Sequence, residues 1–541
     1  MATFQSVQSE RRDFLRAASA FLAGGSAASL GAGARSVFAS KQEAVGAGVS
    51  GFDVRTYGSK GDGKAVDSVA INKAIDAASA AGGGTVFLPA GNYLCYSIHL
   101  KSNVGLFLDH GSTIIAADPA PAGQQGYDAA EPYQWDMYQD YGHSHFHNSL
   151  IWGEGLENIS ITGPGRIWGK GLSRGAGTDT PKAENPGVAN KSIALKNCHN
   201  IVLRDFSILH GGHFGILATG ADNMTIDNLR IDTNRDGMDI DCCYDVHVSN
   251  CSVNSPWDDG ICPKSSFALG YARATERLTI ANCFVSGSFQ EGTLLDGTKK
   301  RFDPTFRVPR TGRIKCGTES NGGFKNITIT NCVFDACQGL ALETVDGALL
   351  EDIAVSNITM RDIITCPIFM RLGARMRGPK EAQVGALRRI VVSGIVSSST
   401  ASRISSHITG IPGHDVEDIT LSDIHVFHKG GGTKDDAAIV VPENETKYPE
   451  PTMFGPLPSQ GFFVRHAKNV EMRNIEIRAE QADQRPAFIL DSVAGADFSN
   501  IRVDEPQGVS AFSLKNVSDF SVRSSRPTPD MHVDKADQQT V

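Results

Sequence analysis

Three aspartates stand at repeated positions of the sequence and carry the groups best suited to acid–base chemistry. Asp236 follows a strand-like phrase that starts at Asn223, and Asp258 follows the next phrase, which starts at Asp245, at the same distance from the phrase start. Repeats that stack as coils bring equivalent side chains together, so Asp236, Asp258 and the adjacent Asp259 are predicted to form one carboxylate cluster. Three carboxyl groups so close cannot all ionise at their ordinary pKa values. The cluster is therefore expected to hold both an acid and a base.

Two further residues near the cluster are candidates for contacting a bound molecule. His213 shares the repeat position of Asp236 and Asp258 on the preceding coil, and it is interpreted either as a site residue or as an ordinary structural histidine. Lys264 is interpreted as a residue that balances the carboxylates, with a solvated surface lysine as the alternative. The aspartates themselves have an alternative as turn residues, since Asp-Gly favours turns, but stacked acidic residues are costly unless something uses them.

The phrase that positions these residues alternates polar and apolar side chains and recurs through most of the chain. Such alternation, with β-branched residues, is typical of a short strand with one buried face. Its recurrence at a spacing such as that from Asn223 to Asp245 is typical of a solenoid. The phrase begins at Asn158, Asn200, Asn223, Asp245, Arg277, Asn326, Asp352, Arg389, Asp418, Asn469 and Asp519.

An asparagine recurs at a second fixed position, five residues after the phrase start. Asparagine tolerates the left-handed backbone conformation at a bend, and its side-chain amide can pass hydrogen bonds from coil to coil. The six asparagines are Asn228, Asn250, Asn282, Asn331, Asn357 and Asn474. This ladder predicts an all-β fold, a single-stranded parallel β-helix, rather than a leucine-rich horseshoe.

Residues 50–523 are predicted to form one β-helix domain. A helix-like stretch over residues 70–77 precedes the repeats and is expected to cap the open edge of the solenoid. Residues 297–304 interrupt the rhythm and are predicted to form a long loop. Residues 524–541 are polar and contain proline, so they are predicted to be a disordered tail.

The 11 cysteines show no metal-ligand spacing. Cys251, Cys283 and Cys332 each lie six residues after a phrase start, and they are predicted to stack as core residues. A disulfide among the others cannot be assigned from the sequence. No metal site and no cofactor is predicted.

The amino terminus is similar to a twin-arginine export signal over residues 1–39. Arg11 and Arg12 precede Phe-Leu and a weakly apolar stretch rich in alanine and glycine. The alternative is a disordered tail that carries two arginines. Cleavage after Ala34 or Ala39 fits a small-x-Ala pattern, so the mature protein is expected to be periplasmic or extracellular.

Composition argues against two classes of partner. Beyond the amino terminus no stretch approaches the about 20 apolar residues that cross a membrane. The net charge of -9 provides no basic surface for nucleic acid. The mature protein is expected to act without a membrane, as a monomer.

Four motifs together resemble glycoside hydrolase family 28, the polygalacturonases and rhamnogalacturonan hydrolases, within the pectate-lyase-like β-helix superfamily. Segments 52–63 and 88–93 are similar to the amino-terminal cap of the superfamily. Segment 234–239 reads Asn-Arg-Asp-Gly-Met-Asp, and segment 257–264 reads Trp-Asp-Asp-Gly-Ile-Cys-Pro-Lys. Both resemble the carboxylate motifs of the family. The resemblance covers roughly residues 50–400.

This resemblance implies a right-handed β-helix that hydrolyses α-glycosidic bonds in a pectic polysaccharide or its oligosaccharides. Asp258 is implied to be the general acid that protonates the departing oxygen. Asp236 and Asp259 are implied to position and deprotonate the attacking water, with inversion at the anomeric carbon.

Two departures from the family pattern bear on the substrate. By its count from the phrase start, Glu291 stands where the family has a histidine. Glu343 stands where the family's Arg-Ile-Lys binds a substrate carboxylate, and an anion there would repel galacturonate. Arg313 and Lys315 share one strand face, and two interpretations follow. They rebuild the carboxylate clamp from a neighbouring coil, or the subsite accepts a neutral sugar such as rhamnose.

Other functions remain open at this point. The insertion between Gly297 and Arg313 is predicted to block one end of the groove, which would favour an exo-acting galacturonidase. One rival is a calcium-dependent polysaccharide lyase on the same fold, and another is a non-catalytic carbohydrate-binding β-helix. Aromatic residues between Tyr127 and Tyr141 are expected to line a sugar groove. The alternating histidines that follow them, His143, His145 and His147, are interpreted as part of a loop packed on the coil rather than a metal site.

Overall fold

Short strands with one buried face stack into a right-handed parallel β-helix. The computed structural model describes residues 51–541 except 122, 176–178, 304–307, 400–403, 505 and 507. In a typical strand, Asp222–Asp227, the side chains of Met224 and Ile226 are buried while Thr225 between them is half-buried. Each fully buried aliphatic side chain contributes about 1.5–3 kcal/mol. The predicted fold class is confirmed. The proposed export signal lies outside the described residues.

Three parallel sheets run along the helix. The first sheet contains the predicted phrases. Its strands are Phe52–Asp53, Gly84–Leu88, Val104–Leu108, Glu157–Thr162, His199–Arg204, Asp222–Asp227, Tyr244–Ser249, Thr275–Ala281, Phe324–Thr330, Leu349–Ile363, Ala386–Ser399, Val416–Gly430, Phe462–Gln481, Phe488–Ser499 and Phe512–Arg523. From Leu349 onwards several of these strands continue around a corner into a neighbouring sheet.

The second and third sheets complete each coil. The second consists of Asp62–Val66, Gly91–Cys95, Ser112–Ala116, Arg166–Trp168, Ser207–Leu209, Arg230–Asp232, Ser252–Asn254, Phe284–Ser286, Val333–Asp335 and Arg502–Val503. The third consists of Ile98–His99, Ile151–Glu154, Lys191–Lys196, Phe214–Thr219, Asp236–Asp241, Ile261–Lys264, Lys315–Cys316, Leu340–Thr344, Ile368–Leu372 and Ser406–Thr409. An antiparallel hairpin, Phe289–Glu291 with Lys300–Arg301, projects from the coils.

The predicted amino-terminal helix is present as Ser68–Ala80 and packs on the first coil. Its buried face consists of Ile71, Ala74, Ile75 and Ala78, which recur at the spacing of one helix face. The other helical segments are short: Val54–Tyr57, Asp136–Tyr138, Tyr141–Ser144 and Lys434–Ala437. Within the described residues, none of the helices is long and apolar enough to cross a bilayer.

The predicted asparagine ladder is confirmed. Asn282 donates from Nδ2 to Asn250 Oδ1 at 3.4 Å, and Asn331 and Asn357 each donate to the preceding rung at 3.3 Å. All six predicted asparagines have φ between 53° and 57°. Aspartates extend the ladder, since Asn228 donates to Asp205. The side-chain amide therefore both permits the bend and links the coils.

A second ladder lies at the start of the phrases and was not predicted. Asn158, Asn200 and Asn223 have positive φ, and each donates from Nδ2 to the asparagine one coil earlier at 2.7–2.9 Å. Further along, Arg277 pairs with Asp245 at the equivalent position. The phrase therefore begins and ends at left-handed bends.

The cysteines are all buried and free, including the stacked Cys251, Cys283 and Cys332. Each of these three thiols donates to the backbone carbonyl two residues before it, at 3.2–3.3 Å. The core assignment of these three cysteines is confirmed.

The prediction of a disordered tail is wrong. Residues Met531–Thr540 form a strand that pairs antiparallel with the last coil strand, Phe512–Arg523. Ala536 is buried against that strand, and Val533 packs on the core edge. The polar composition misled the prediction because only one face of this strand needs to be apolar. The strand covers a sheet edge that would otherwise present unpaired backbone groups.

Deleting residues 531–541 is expected to cause self-association and a lower melting temperature, because the open edge of Phe512–Arg523 becomes available for pairing with another chain. Size-exclusion chromatography with light scattering and a thermal melt measure both effects. Asp534→Ala is the control, since this side chain on the same strand is exposed. A truncated protein with unchanged mass and melting temperature would contradict a capping role.

Candidate active site

The pairing register of the third sheet determines which residues of neighbouring coils lie beside the three aspartates. In the third sheet Met238 pairs with Ile261, whereas in the second sheet of the same coil Ile231 pairs with Val253. The offset between partners is one residue longer in the third sheet, so one additional residue is accommodated in the corner before Ile261. Asp236 is therefore level with Asp259, and Gly237 N donates to Asp259 O at 3.0 Å. The equal phase predicted for Asp236 and Asp258 is wrong by this one residue.

Asp236 and Asp258 nevertheless lie close together, with His213 beside them. One atom from each of the three side chains lies within 4.8 Å of the others, and His213 Nε2 is 3.6 Å from Asp236 Oδ2. The Asp236 side chain is only 5% exposed, whereas that of Asp258 is 27% exposed. Asp258 is therefore the carboxyl group of this pair that solvent or a ligand reaches more easily.

Arg235 ties this cluster together. Its guanidinium donates to Asp258 Oδ2 from Nε at 3.0 Å, and its NH2 group lies 3.1 Å from His213 Nε2. Because a guanidinium only donates, His213 Nε2 must be the acceptor and the imidazole is neutral. Burial, followed by the charge of Arg235, lowers the pKa of His213 well below its usual value. His213 is thus an uncharged polar neighbour of the two aspartates.

Asp236 is the aspartate that retains a proton. Burial, followed by the charge of Asp258, raises the pKa of Asp236 well above its usual value. Arg235 and Lys264 oppose this shift but do not cancel it. Asp236 therefore holds its proton at a pH where an isolated aspartate has lost it.

Asp259 has the opposite environment. Arg313 Nε donates to its Oδ1 at 2.8 Å, and Lys315 Nζ lies 2.9 Å from its Oδ2. Burial by itself would raise the pKa of Asp259, but Lys315 and Arg313 outweigh burial and hold it well below its usual value. Asp259 is thus a permanently ionised carboxylate.

Arg313 and Lys315 stand on the coil after Asp259, where they were predicted as a clamp for a substrate carboxylate. Both are buried and both are occupied. Arg313 also binds Glu450 at 2.9 Å and Gln338 at 2.7 Å. The clamp closes on the protein's own Asp259, which leaves little capacity for a carboxylate of the substrate.

Glu291 does not occupy the coil position predicted for it. Ile261 pairs with Ile314, so the coil continues there. The intervening chain leaves the coil and forms the hairpin Phe289–Glu291 with Lys300–Arg301. The side chain of Glu291 is 77% exposed beside Lys300. Counting from the phrase start fails because the insertion interrupts the coil before the third sheet.

Glu343 is close to the cluster but has no free surface. It lies on the coil after Lys315 and is fully buried. Burial raises its pKa to about 7, against the opposing charges of Lys315 and Arg313. Glu343 was predicted to line the sugar subsite, and the structure places it beneath the cations instead.

Lys264 belongs to a buried polar network on the other side of the cluster. Its Nζ donates to Glu319 Oε2 at 3.0 Å and lies 3.9 Å from Asp239 Oδ2. His143 Nε2 is 2.9 Å from the same Asp239 oxygen. As predicted, Lys264 balances carboxylates, and the charges that it balances most directly are those of Glu319 and Asp239.

Several residues of the site come from distant segments and were missed. Tyr448 accepts a hydrogen bond from Thr318 at 2.9 Å, and Glu450 binds Arg313. Both lie on the long connection between the strands Val416–Gly430 and Phe462–Gln481. His143 lies on a similarly long connection between the strands Ser112–Ala116 and Ile151–Glu154. No repeat position marks these residues. The only sequence signal was the length of the connections, since long loops on rigid coils are often functional.

The aromatic segment before His143 packs on the coil. Trp135 and Tyr138 stack at 5.7 Å and both contact Phe267 edge-on. The three alternating histidines face different partners, since His147 lies 2.9 Å from Glu154 and His145 contacts Asp136. The segment is thus a loop packed on the coil, as interpreted. The side chains of the three histidines do not point to a common metal-binding position.

Part of this chain is similar to proteins of known class. Residues 51–288 match the profile of the family described as Rhamnogalacturonase A/epimerase, pectate lyase-like. The crystal structure of a hyperthermoactive exopolygalacturonase from Thermotoga maritima superposes with a TM-score of 0.51 at 17% identity, covering 79% of this chain and 91% of that one. This likeness establishes the shared β-helix fold.

Two relatives extend the comparison. A probable polygalacturonase of Vitis vinifera is 23% identical over 335 residues, which cover 56% of this chain and 60% of that protein. An exo-poly-alpha-D-galacturonosidase of Dickeya chrysanthemi is 24% identical over 267 residues, covering 42% of this chain and 43% of that protein. These matches support the resemblance of this chain to glycoside hydrolase family 28. The chain spans at most 60% of the length of these two relatives.

Replacing Lys315 by methionine is expected to lower stability and to move acid unfolding to higher pH. The change leaves the buried Asp259 carboxylate with one cation, and breaking a buried ion pair costs about 3–5 kcal/mol. In the wild type, folding lowers the pKa of Asp259. Its contribution to stability is therefore present above the unfolded pKa of about 4 and is lost as the pH falls through the lower folded pKa. In the variant the folded pKa rises, so the contribution disappears at a higher pH.

Urea unfolding at a series of pH values between about 3 and 7 measures both effects. Lys515→Met is the control because Lys515 forms an exposed pair with Asp491 at 3.2 Å, and such a pair is worth less than about 1 kcal/mol. If the two variants show the same pH profile, the charge of Lys315 does not hold Asp259 ionised.

Proposed function

We propose that the protein is a glycoside hydrolase that cleaves α-glycosidic bonds in pectic polysaccharide or its oligosaccharides. The observation that carries this proposal is the division of labour among three adjacent carboxyl groups. Asp259 is held ionised by Arg313 and Lys315, while Asp236 retains a proton beside the more exposed Asp258. An acid beside a base is what hydrolysis of a glycosidic bond requires.

The reaction follows from these positions. Asp258, the more exposed member of the pair, donates the proton to the glycosidic oxygen, and the bond from the anomeric carbon to that oxygen breaks. A water molecule attacks the anomeric carbon, oriented by Asp236 and the ionised Asp259. The proton that the water loses goes to Asp236, which restores the resting state with the proton on Asp236. In the resting protein Arg235 pairs with Asp258 and the proton lies on Asp236, from which it passes to Asp258 before the glycosidic bond breaks.

Two long connections flank the aspartates and favour exo action. His143 belongs to one connection, and Tyr448 and Glu450 belong to the other. Walls on both sides of a groove favour a closed pocket that admits the end of a chain. The name of the Dickeya relative, an exo-galacturonosidase, agrees with this proposal. Export to the periplasm or the medium, as the amino terminus indicates, would bring the enzyme to such substrates.

A calcium-dependent lyase is the less favoured alternative. His213, Asp236 and Asp258 are close enough to offer ligand atoms to one metal ion. The guanidinium of Arg235 already neutralises Asp258 at 2.8 Å, and a cation at that point opposes calcium binding. The hydrolase is therefore the function that the charges support best.

Substitution of Asp258 by asparagine is expected to reduce turnover by about 10²–10⁴-fold, since the proton donor is lost, while substrate binding is largely retained. Purified protein is incubated with polygalacturonate, a rhamnogalacturonan backbone and short oligogalacturonides. New reducing ends and ultraviolet absorbance of unsaturated products are measured together, with and without a chelator. Asp497→Asn, an exposed aspartate on the outer face, serves as the control.

Reducing ends without absorbance, insensitive to the chelator, are the expected result. Absorbing products that disappear with the chelator would establish the lyase instead. Full activity of the Asp258 variant would exclude the proposed acid, and binding without any cleavage would indicate a carbohydrate-binding protein.

The product is expected to have inverted configuration at the anomeric carbon. One oxygen of Asp236 and one of Asp258 lie within 4.8 Å, closer than the about 6.5–9.5 Å between carboxyl groups that is common in inverting enzymes. The expectation therefore depends on Asp259 sharing the orientation of water. Proton NMR of the first product formed, recorded before mutarotation, distinguishes the two anomers. Retention of configuration would indicate instead that Asp236 and Asp258 carry out a double displacement through a covalent intermediate.

A further inference from the structure

A cavity of about 300 Å³ opens beside the catalytic aspartates. Its walls include Lys170, Arg174, His210, Asp232, Trp257 and Phe289. Trp257 is the chain neighbour of Asp258, and Asn234, also in the wall, is the chain neighbour of Arg235. The cavity is therefore lined by residues that directly precede Arg235 and Asp258 in the chain. Its volume lies at the lower end of the range for small-molecule sites.

The loop that carries Arg174 passes close to the acid cluster. A Cβ added at Gly175 would lie 3.1 Å from His213 Nδ1 and 3.6 Å from a terminal nitrogen of Arg235. Arg174, the chain neighbour of this glycine, therefore lines the cavity on a loop that is adjacent to the cluster.

The cavity supplies uncommitted positive charge that the rest of the site lacks. Arg235, Arg313 and Lys315 are each engaged by a carboxylate of the protein. In contrast, neither Lys170 nor Arg174 forms an ion pair with any carboxylate of the described residues. A substrate carboxylate near Asp258 therefore finds its available partners in this cavity.

The acidic residue of the cavity wall is already satisfied. Asp232 accepts hydrogen bonds from Asn254 on one oxygen and from Thr293 and Leu294 on the other. These bonds hold its carboxylate in the wall and leave the cations free. His210 in the same wall has its pKa lowered by burial, so it is a neutral hydrogen-bonding group at neutral pH.

Trp257 offers an apolar platform in the same cavity. Its side chain is 42% exposed, so its indole is accessible to a bound ring. Aromatic faces pack against the apolar C–H face of a pyranose ring. A cation and an indole next to each other match a sugar that has both a carboxylate and an apolar face.

We propose that this cavity is the subsite for a uronate unit of the substrate, with Arg174 and Lys170 binding its carboxylate and Trp257 stacking on its ring. The proposal rests on the proposed function, whose substrate it specifies as an acidic rather than a neutral sugar. Arg174 can bind a carboxylate through two parallel hydrogen bonds. Lys170 adds a point charge.

The test compares oligogalacturonides with their methyl esters, which lack the charge but keep the ring. The acid-to-ester ratio of kcat/KM is measured for the wild type and for Arg174→Gln. A hydrogen bond to a charged group corresponds to about 10- to 100-fold in an equilibrium or rate constant, so the ratio is expected to fall by this factor. Arg361→Gln, an exposed arginine of the second-sheet corner, is expected to leave the ratio unchanged. Thermal melts of each variant check folding, and Lys170→Gln provides a second, milder variant.

Binding is measured separately, by calorimetry, in an Asp258→Asn background that does not turn the ligand over. Arg174→Gln is expected to weaken binding of the acid and not of the ester, and Trp257→Ala is expected to weaken binding of both. If the wild type hydrolyses the oligogalacturonides but Arg174→Gln leaves the ratio unchanged, the subsite is overturned and the hydrolase stands. If the wild type cleaves neither substrate, the proposed hydrolase function is wrong. If the acid and the ester then also bind with equal affinity, the proposed uronate subsite is wrong as well.

Discussion

Parallel pairing between neighbouring coils is the constraint on which the site depends. Adjacent coils lie about 4.8 Å apart, so the register of each strand pair decides which side chains meet. Arg235 meets Asp258 and Asp236 meets Asp259 because one additional residue enters the corner before Ile261. A different register would place Arg235 on another carboxylate and change the proton distribution. The asparagine ladders help to keep this register, since each rung links adjacent coils at a left-handed bend.

Neighbouring charges then give three chemically identical aspartates different properties. Asp259 receives two cations from the next coil and is ionised. Asp236 is buried beside another carboxylate and retains a proton. Asp258 is exposed enough to meet a ligand and is paired with Arg235. In the proposed reaction the same type of side chain serves as acid, base or orienting group according to which coil residues surround it.

The position of the cations also separates the aspartates of the proposed reaction from the proposed uronate subsite. In a clamp built on Arg313 and Lys315, those residues would bind the substrate carboxylate. Here Asp259, Glu450 and Gln338 occupy them. Lys170 and Arg174, which form no ion pair with a carboxylate in the described part of the chain, line the cavity that contains Trp257 instead. The hairpin that contributes Phe289 to that cavity is part of the insertion that the sequence marks as a long loop. Insertions into the coil therefore shape the cavity without disturbing the register of the aspartates.

Local sequence was sufficient for the features that repeat. Alternating side chains predicted the strands, Asn282 and Asn331 predicted the bends, Cys251 and Cys283 predicted the core, and Asp236 and Asp258 marked the cluster. Such features follow from one residue's own conformational preference and from burial within one coil. Residues outside the repeat could not be predicted in this way. The count from the phrase start placed Glu291 on a coil, whereas it lies in the hairpin that projects from the coils. The polar strand Met531–Thr540 forms because it pairs with the sheet edge that it covers. Only the tertiary structure decided that Arg313 and Lys315 bind Asp259, and that Glu450 and Tyr448 cover them, because those contacts join segments far apart in the chain and depend on the exact number of residues in every intervening turn.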